Sequence, residues 1–122
     1  MLVTAYLFVY GTLRQGSDNK YAHLLSEQAQ FVGNTRMPGR LYDFGRYPGV
    51  VAASLPDEFV KGEVFRLNDE SLLATLDDYE GADFKRVVIE FELAGERQKA
   101  WVYLYCGPAS GRLIASGDWF QR

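Results

Sequence analysis

Near its start the chain reads Phe8-Val9-Tyr10-Gly11-Thr12-Leu13-Arg14-Gln15-Gly16, an apolar run that ends abruptly in a glycine turn. The aromatic and β-branched residues at positions 6–10 predict a strand, and Gly11 and Gly16 predict the turn that ends it. Where a strand breaks at glycine, successive backbone N–H groups lose their ladder partners and can form a concave nest for an anion. The stretch is therefore a candidate binding loop for a carboxylate or a phosphate, although most turns of this kind only reverse the chain.

The sequence disfavours both nucleotide-binding proteins and nucleic-acid-binding proteins. The stretch lacks both the Gly-Lys-Ser/Thr ending of a Walker A loop and the G-x-G-x-x-G spacing of a dinucleotide-binding loop. The chain has 13 basic and 16 acidic residues, which gives a net charge of −3, and it contains no cluster of basic residues. Because nucleic-acid binding depends on Lys and Arg against phosphates, we expect no nucleic-acid partner.

The composition predicts one globular domain, residues 1–122, in the cytoplasm. A hydrophobic content of 48% in 122 residues is enough to build a substantial core. The single cysteine, Cys106, excludes an intrachain disulfide framework and indicates a reducing compartment, and we expect its thiol to be buried. One cysteine and one histidine are too few for a Cys/His zinc site, so we expect no metal. No apolar stretch approaches the ~20 residues of a membrane span, so we expect no membrane partner.

Two helices are predicted from capping residues and apolar stripes. Asn19 is a suitable N-cap for a short helix, and Asn68 for a longer one over residues 68–81. Gly81 is a suitable residue to end the second helix, because glycine readily adopts the positive φ that helix ends require.

The remaining apolar runs predict short strands. They lie at residues 6–10, 30–42, 59–67, 87–93 and 99–106. Gly33, Pro38 and Gly39 interrupt the second of these, which predicts a bent strand or a bulge. Residues 43–56 are predicted to form a loop with little regular structure. Because no regular βαβ alternation appears, we predict an α+β fold, with a small mixed β-barrel or a strongly curved sheet flanked by two or three helices.

An acidic cluster, Asp77, Asp78 and Glu80, lies in the last turn of the longer predicted helix. The negative end of the helix dipole and the mutual repulsion of three carboxylates both raise carboxyl pKa values, as a group that accepts a proton near neutral pH requires. Glu80 is the member that we expect to face a cleft, whereas Asp77 and Asp78 are expected to be solvent-facing or structural. Pairing with Lys85 and Arg86 is the alternative interpretation, in which the cluster is only a solvated charged rim.

Five short motifs together identify a family resemblance. They are Tyr10-Gly11-Thr12-Leu13, Gly62-Glu63-Val64-Phe65, Leu76-Asp77-Asp78-Tyr79-Glu80-Gly81, Lys85-Arg86-Val87 and Ser116-Gly117-Asp118-Trp119. In this order they resemble the γ-glutamylcyclotransferase-like superfamily, and more closely its small bacterial and plant-type branch and the γ-glutamylamine cyclotransferases. The resemblance covers nearly the whole chain.

This resemblance implies a small mixed β-barrel whose mouth holds the site. It implies that Glu80 is the general acid/base. It also implies that the glutamyl α-carboxylate and amine are held by backbone groups of Tyr10, Gly11, Thr12 and Leu13. Tyr103 is a further candidate for substrate binding, because it can line the same cavity, although a tyrosine in a strand is more often part of the core.

The reaction implied is intramolecular aminolysis, in which the α-amine of a γ-glutamyl substrate attacks its own γ-carbonyl to give 5-oxoproline and a free amine or amino acid. Because the nucleophile is tethered, neither a protein nucleophile nor a cofactor is needed. The expected partner is a small-molecule γ-glutamyl substrate, and the expected assembly is a monomer or a weak homodimer. With Glu80 as its counterpart, the loop is interpreted as a carboxylate-and-amine site, and the phosphate interpretation is discarded.

One residue departs from the family pattern. Members of the family often carry tyrosine after the Glu-Gly pair, whereas this chain has Phe84. This difference favours an alternative in which the fold serves as a non-catalytic module that binds a small ligand or has a regulatory role. Residues 43–56 are expected to contact the amine half of the substrate, whose identity the sequence does not specify.

Overall fold

The computed structural model describes residues 6–108 and 111–122. Its strands are β1 (Tyr6–Val9), β2 (Ala29–Pro38), β3 (Arg40–Asp43), β4 (Pro48–Val51), β5 (Phe59–Leu67), β6 (Phe84–Leu93), β7 (Glu96–Tyr105) and β8 (Arg112–Leu113). Its helices are α1 (Lys20–Gln28), α2 (Ser71–Glu80) and a 3-10 helix at Trp119–Gln121. Within the described ranges no helix is long and apolar enough to cross a membrane.

The short strand β1 lies at the centre of a five-stranded sheet with the order β2-β5-β1-β7-β6. It pairs antiparallel with β5, where Leu7 lies opposite Phe65, and parallel with β7, where Leu7 pairs with Trp101. Because side chains of a strand alternate between the two faces, β1 contributes residues to the cores on both sides of the sheet. A second sheet has three strands in the order β4-β3-β8.

Two hydrophobic clusters cover the two faces of the large sheet. The cluster on the helix side consists of Leu7, Val9, Leu13, Leu25, Ala29, Phe65, Leu67, Leu72, Leu73, Leu76 and Tyr103. The opposite cluster consists of Phe8, Tyr10, Met37, Leu41, Val50, Val60, Val64, Phe91, Ala100, Val102, Ile114 and Trp119. Since the second cluster includes residues of β3 and β4, the small sheet and the C-terminal segment cover that face.

The large sheet curls until its two edge strands approach each other. The Thr35 hydroxyl of β2 donates a hydrogen bond to the Glu92 carbonyl of β6 at 3.0 Å. Between these strands, within the part of the chain that the structure describes, no ladder of paired residues forms. The predicted α+β fold is therefore confirmed in its second form, a strongly curved sheet flanked by helices rather than a closed barrel.

Several local predictions are confirmed. The strand at residues 59–67 has the predicted bounds, and the Asn19 side chain caps α1 by accepting a hydrogen bond from the backbone N–H of Ala22 at 2.8 Å. The predicted bulge lies in β2, where the register with β5 shifts between Phe31 and Gly33. These features depend on short-range patterns of sequence.

Three local predictions are wrong. Residues 43–56 include a strand, β4, which pairs antiparallel with β3. Helix α2 begins at Ser71, and Asp69 rather than Asn68 accepts the hydrogen bond from the Ser71 N–H, at 2.9 Å. Cys106 is exposed, because β7 ends at Tyr105 and the backbone N–H of Cys106 bonds to the carbonyl of Asp83 at 2.7 Å.

A buried ion network fixes the chain after β1. The guanidinium of Arg14 donates to Glu63 of β5 at 3.1 Å and to Asp118 of the C-terminal segment at 2.8 Å, and all three residues are buried. The backbone N–H of Gln15 donates to the second oxygen of Glu63 at 2.8 Å. Burial opposes ionisation of Asp118, but hydrogen bonds from Arg14 and from the N–H of Phe120 outweigh it and hold the carboxyl pKa below its usual range.

We expect Arg14→Met to lower the free energy of unfolding by about 3–5 kcal/mol, because it leaves two buried carboxylates without their cation. Urea unfolding followed by circular dichroism measures the change. Arg97→Met is the matched control, since Arg97 pairs with Glu90 in solvent and such pairs contribute less than about 1 kcal/mol. Equal losses in the two variants would contradict the structural role of the network.

Candidate active site

The chain between β1 and α1 forms a tight turn. The backbone N–H of Arg14 donates to the carbonyl of Gly11 at 3.0 Å, and the Asn19 side chain donates to the carbonyl of Thr12 at 2.7 Å. Within residues 6–108 and 111–122, the backbone N–H groups of Gly11, Thr12 and Leu13 have no hydrogen-bond acceptor. Three consecutive unpaired donors are suited to binding an anionic group.

Gly11 is required at the start of this turn by packing. A Cβ atom built at Gly11 would overlap the ring of Pro48, the first residue of β4. Both residues are buried, so a larger residue at position 11 would have to displace β4. The turn therefore lies directly against the small sheet.

A cavity of about 370 Å³ opens beside the turn. Its walls come from β1, the turn, the start of β4, the end of α2, the connection to β6, and β7. The lining residues are Phe8, Val9, Tyr10, Gly11, Thr12, Leu13, Tyr47, Pro48, Tyr79, Glu80, Gly81, Ala82, Asp83, Phe84 and Tyr103. The structure thus brings all the predicted site residues to one cavity, together with Phe84 and two residues of the segment 43–56.

Glu80 is the last residue of α2 and forms part of the cavity wall. Gly81 ends the helix with a φ of 81°, and its N–H donates to the carbonyl of Asp77 at 3.1 Å. Burial raises the pKa of the Glu80 carboxyl from 4.5 to about 7. The upward direction was predicted from the helix dipole and neighbouring carboxylates, but burial is its physical cause.

The pKa of Asp77, one helical turn earlier, is shifted in the opposite direction. Its carboxylate accepts two hydrogen bonds from Arg86, at 2.8 and 3.1 Å, and one from the Tyr103 hydroxyl at 2.7 Å. Burial alone would raise the pKa of Asp77, but these hydrogen bonds and the charge of Arg86 hold it below its usual value. The predicted upward pKa shift is therefore wrong for Asp77, while the alternative pairing with Arg86 is confirmed.

The hydroxyl of Tyr10 bonds to backbone groups, whereas that of Tyr103 bonds to the carboxylate of Asp77. The hydroxyl of Tyr10 donates to the backbone carbonyl of Tyr103 at 2.6 Å and accepts from the N–H of Val50 at 3.3 Å. Burial, followed by the charge of Glu80, raises the pKa of Tyr10, so its hydroxyl stays protonated. Because both bonds run to backbone groups, the Tyr10 side chain ties β1, β7 and β4 together, and its contribution to binding would come from its backbone.

Sequence reasoning missed some of the cavity wall. The hydroxyl of Tyr79 lies 2.8 Å from that of Thr12, and its ring stacks on Tyr21 of α1 at 4.3 Å between centroids. The helical spacing of Tyr79 indicated only a core position. Its place next to Glu80 is the sequence feature that could have predicted a position in the cavity wall. Phe84, the residue at which the sequence departs from the expected tyrosine, packs edge-on against Tyr47, with ring centroids 5.8 Å apart, and makes this part of the wall apolar.

Comparison with known proteins identifies the family. Residues 7–121 match the family described as "Gamma-glutamyl cyclotransferase, AIG2-like", and the chain belongs to it. A Vibrio cholerae protein named "Putative gamma-glutamylcyclotransferase" is 40% identical over 95% of this chain and 96% of its own length. The "Gamma-L-glutamyl-butirosin B gamma-glutamyl cyclotransferase" of Niallia circulans is 34% identical over 81% of this chain and 65% of its own length.

The fold is also shared with solved structures. The solution structure of protein ytfP from Escherichia coli superposes with a TM-score of 0.70 at 35% identity. The match covers 96% of this chain and 97% of that protein. The resemblance found in the sequence motifs is thus confirmed at the level of family and fold.

The raised pKa of Glu80 predicts a pH-dependent cost to stability. As pH rises from about 4.5 to about 7, the unfolded chain ionises Glu80 while the folded protein keeps the proton, so the folded state loses stability across this window. We expect Glu80→Gln to become more stable than the wild type by up to about 3 kcal/mol above this window, with little of this difference below it.

Urea unfolding at a series of pH values tests this expectation. Asp78→Asn makes the same substitution of carboxyl by amide at an exposed position of α2, and it controls for the loss of a charge near the helix end. A difference between Glu80→Gln and wild type that did not vary with pH would contradict the burial of the Glu80 carboxyl.

Proposed function

We propose that this protein is a γ-glutamyl cyclotransferase that converts a γ-glutamyl amine or γ-glutamyl amino acid into 5-oxoproline and the free amine. Membership of the family and the names of the relatives support the general activity. The observation that carries the proposal is a half-buried carboxyl, Glu80, whose pKa burial raises to about 7, in the same cavity as a turn whose backbone N–H groups have no acceptor among the described residues.

In this proposal the turn binds the glutamyl part of the substrate. The backbone N–H groups of Gly11, Thr12 and Leu13 hold the α-carboxylate, and a hydroxyl of the wall, that of Tyr103, contacts the amine. Fixing both ends of the glutamyl chain keeps the α-nitrogen near the γ-carbonyl, which supplies much of the acceleration of a cyclisation.

Glu80 then moves the proton. Its carboxylate takes a proton from the substrate's α-ammonium, and the freed nitrogen attacks the γ-carbonyl carbon to form the new C–N bond. The protonated Glu80 gives that proton to the leaving nitrogen as the original amide bond breaks. Its carboxylate then takes the second proton from the new ring nitrogen, which leaves 5-oxoproline as a neutral lactam, and passes it to the departing amine, which leaves as an ammonium ion. A pKa of about 7 lets one group accept and donate protons near neutral pH.

We expect Glu80→Gln to lower kcat by about 10²-fold or more while the Kd for substrate stays nearly unchanged, because the amide cannot accept the proton. The assay incubates each protein with a panel of γ-glutamyl amines and dipeptides and detects 5-oxoproline by mass spectrometry. Asp78→Asn is the control and should keep wild-type turnover. Full activity of Glu80→Gln on every substrate would refute the role of Glu80, and saturable binding to wild type without product would favour the non-catalytic binding module.

The pH profile provides a second test. Since the ionised form of Glu80 is the base, we expect kcat/KM to fall about tenfold per pH unit below pH 7 and to level off above it. Steady-state rates between pH 5 and 9 on one substrate measure the profile. A plateau that extends down to about pH 5, near the ordinary pKa of glutamate, would contradict the proposal.

A further inference from the structure

The hydroxyl of Tyr103 has a fixed hydrogen-bond direction. It lies 2.7 Å from Oδ1 of Asp77, and an ionised carboxylate can only accept hydrogen bonds. The hydroxyl therefore donates its only proton to Asp77. Toward any other group the phenolic oxygen can act only as a hydrogen-bond acceptor.

Asp77 is itself held in place from the opposite side. Arg86 of β6 binds both of its oxygens, at 2.8 and 3.1 Å, in the bidentate geometry that makes arginine–carboxylate pairs specific. The guanidinium in turn lies over the ring of Trp101, 4.4 Å from the centroid. The arrangement Trp101–Arg86–Asp77 thus fixes the position and the charge of the group that accepts the Tyr103 proton.

Tyr103 belongs to the wall of the cavity in which the reaction is proposed. Tyr103 lines the cavity together with Glu80, and the charge of Glu80 is among the causes that raise the pKa of Tyr103, after burial and Asp77. Among the other hydroxyls of the cavity wall, those of Thr12 and Tyr79 bond to each other, and that of Tyr10 is used by backbone groups. The hydroxyl of Tyr47 has no hydrogen-bond partner among the described residues that would fix its direction. Tyr103 is accordingly the wall hydroxyl whose proton is held by a carboxylate, which leaves its oxygen to accept.

We propose that Asp77 and Arg86 are positioning residues, which hold the Tyr103 hydroxyl as a hydrogen-bond acceptor for the α-ammonium of the substrate. This inference rests on the proposed function. Of the three N–H bonds of the ammonium, one proton goes to Glu80 and a second N–H is held by Tyr103. Holding the second N–H restricts rotation of the amine, so the lone pair freed by deprotonation is directed at the γ-carbonyl.

The test measures binding of two ligands that differ only in the α-ammonium. They are γ-glutamylethylamide and N-ethylglutaramate, in which hydrogen replaces the amino group. Binding is measured by calorimetry in a Glu80→Gln background, where turnover of the ammonium ligand is expected to be about 10²-fold slower and the other ligand cannot cyclise. We expect the background protein to prefer the ammonium ligand by at least about tenfold, since a hydrogen bond to a charged group contributes about 1.5–3 kcal/mol.

Three second substitutions separate positioning from general structural effects. Asp77→Ala removes the acceptor, so the Tyr103 proton can turn into the cavity, and Tyr103→Phe removes the oxygen while keeping the ring, so both are expected to reduce the preference to below about threefold. Asp78→Ala, which makes the same change at an exposed position of α2, is expected to keep it. Should Asp77→Ala fail to fold, Asp77→Leu removes the acceptor while filling a similar volume.

The outcomes are distinct. An unchanged preference in the folded Asp77 variant overturns the inference, as does a loss in Tyr103→Phe alone, which would mean that Tyr103 binds the amine without help from Asp77. A background protein with no preference for the ammonium also overturns it. Failure of the proposed function appears separately, as the absence of 5-oxoproline when wild-type protein is incubated with the substrate panel.

Discussion

The buried cation of Arg14 joins three parts of the chain on which the cavity depends. Arg14 ends the turn that follows β1, Glu63 lies in the central part of β5, and Asp118 precedes the C-terminal 3-10 helix. Its guanidinium also lies 4.1 Å from the ring centroid of Phe120. Ionic groups removed from water are stable only when each has partners of good geometry, so the three segments must come together as one unit. The backbone N–H groups of the turn are held in place as a consequence.

Two carboxyls of α2 show how tertiary contacts control charge. Asp77 and Glu80 lie one helical turn apart, yet hydrogen bonds hold the pKa of Asp77 below its usual value, while burial raises that of Glu80 to about 7. Asp77 therefore stays ionised near neutral pH and accepts hydrogen bonds from Arg86 and Tyr103. Glu80 instead gains and loses a proton near neutral pH. Separated pKa values of neighbouring groups are typical of sites that divide structural and acid–base roles between them.

The sequence was sufficient for features that depend on local patterns and insufficient for those that depend on distant partners. Strand β5, the cap at Asn19 and the end of α2 follow from alternation, capping chemistry and glycine. Strand β4 was missed, because Pro48 and Gly49 argue locally for a loop and only pairing with β3 makes the segment a strand. The low pKa of Asp77 could not be anticipated in full, since its partner Tyr103 is 26 positions away on another element.

The exposed thiol has a practical consequence for study of this protein. Cys106 is the single cysteine of the sequence, and its backbone bonds to Asp83, which lines the cavity. A maleimide dye would therefore attach at one defined atom, in a residue that is hydrogen-bonded to the cavity wall. The wild-type chain thus offers a labelling position for fluorescence measurements of ligand entry, without an engineered cysteine.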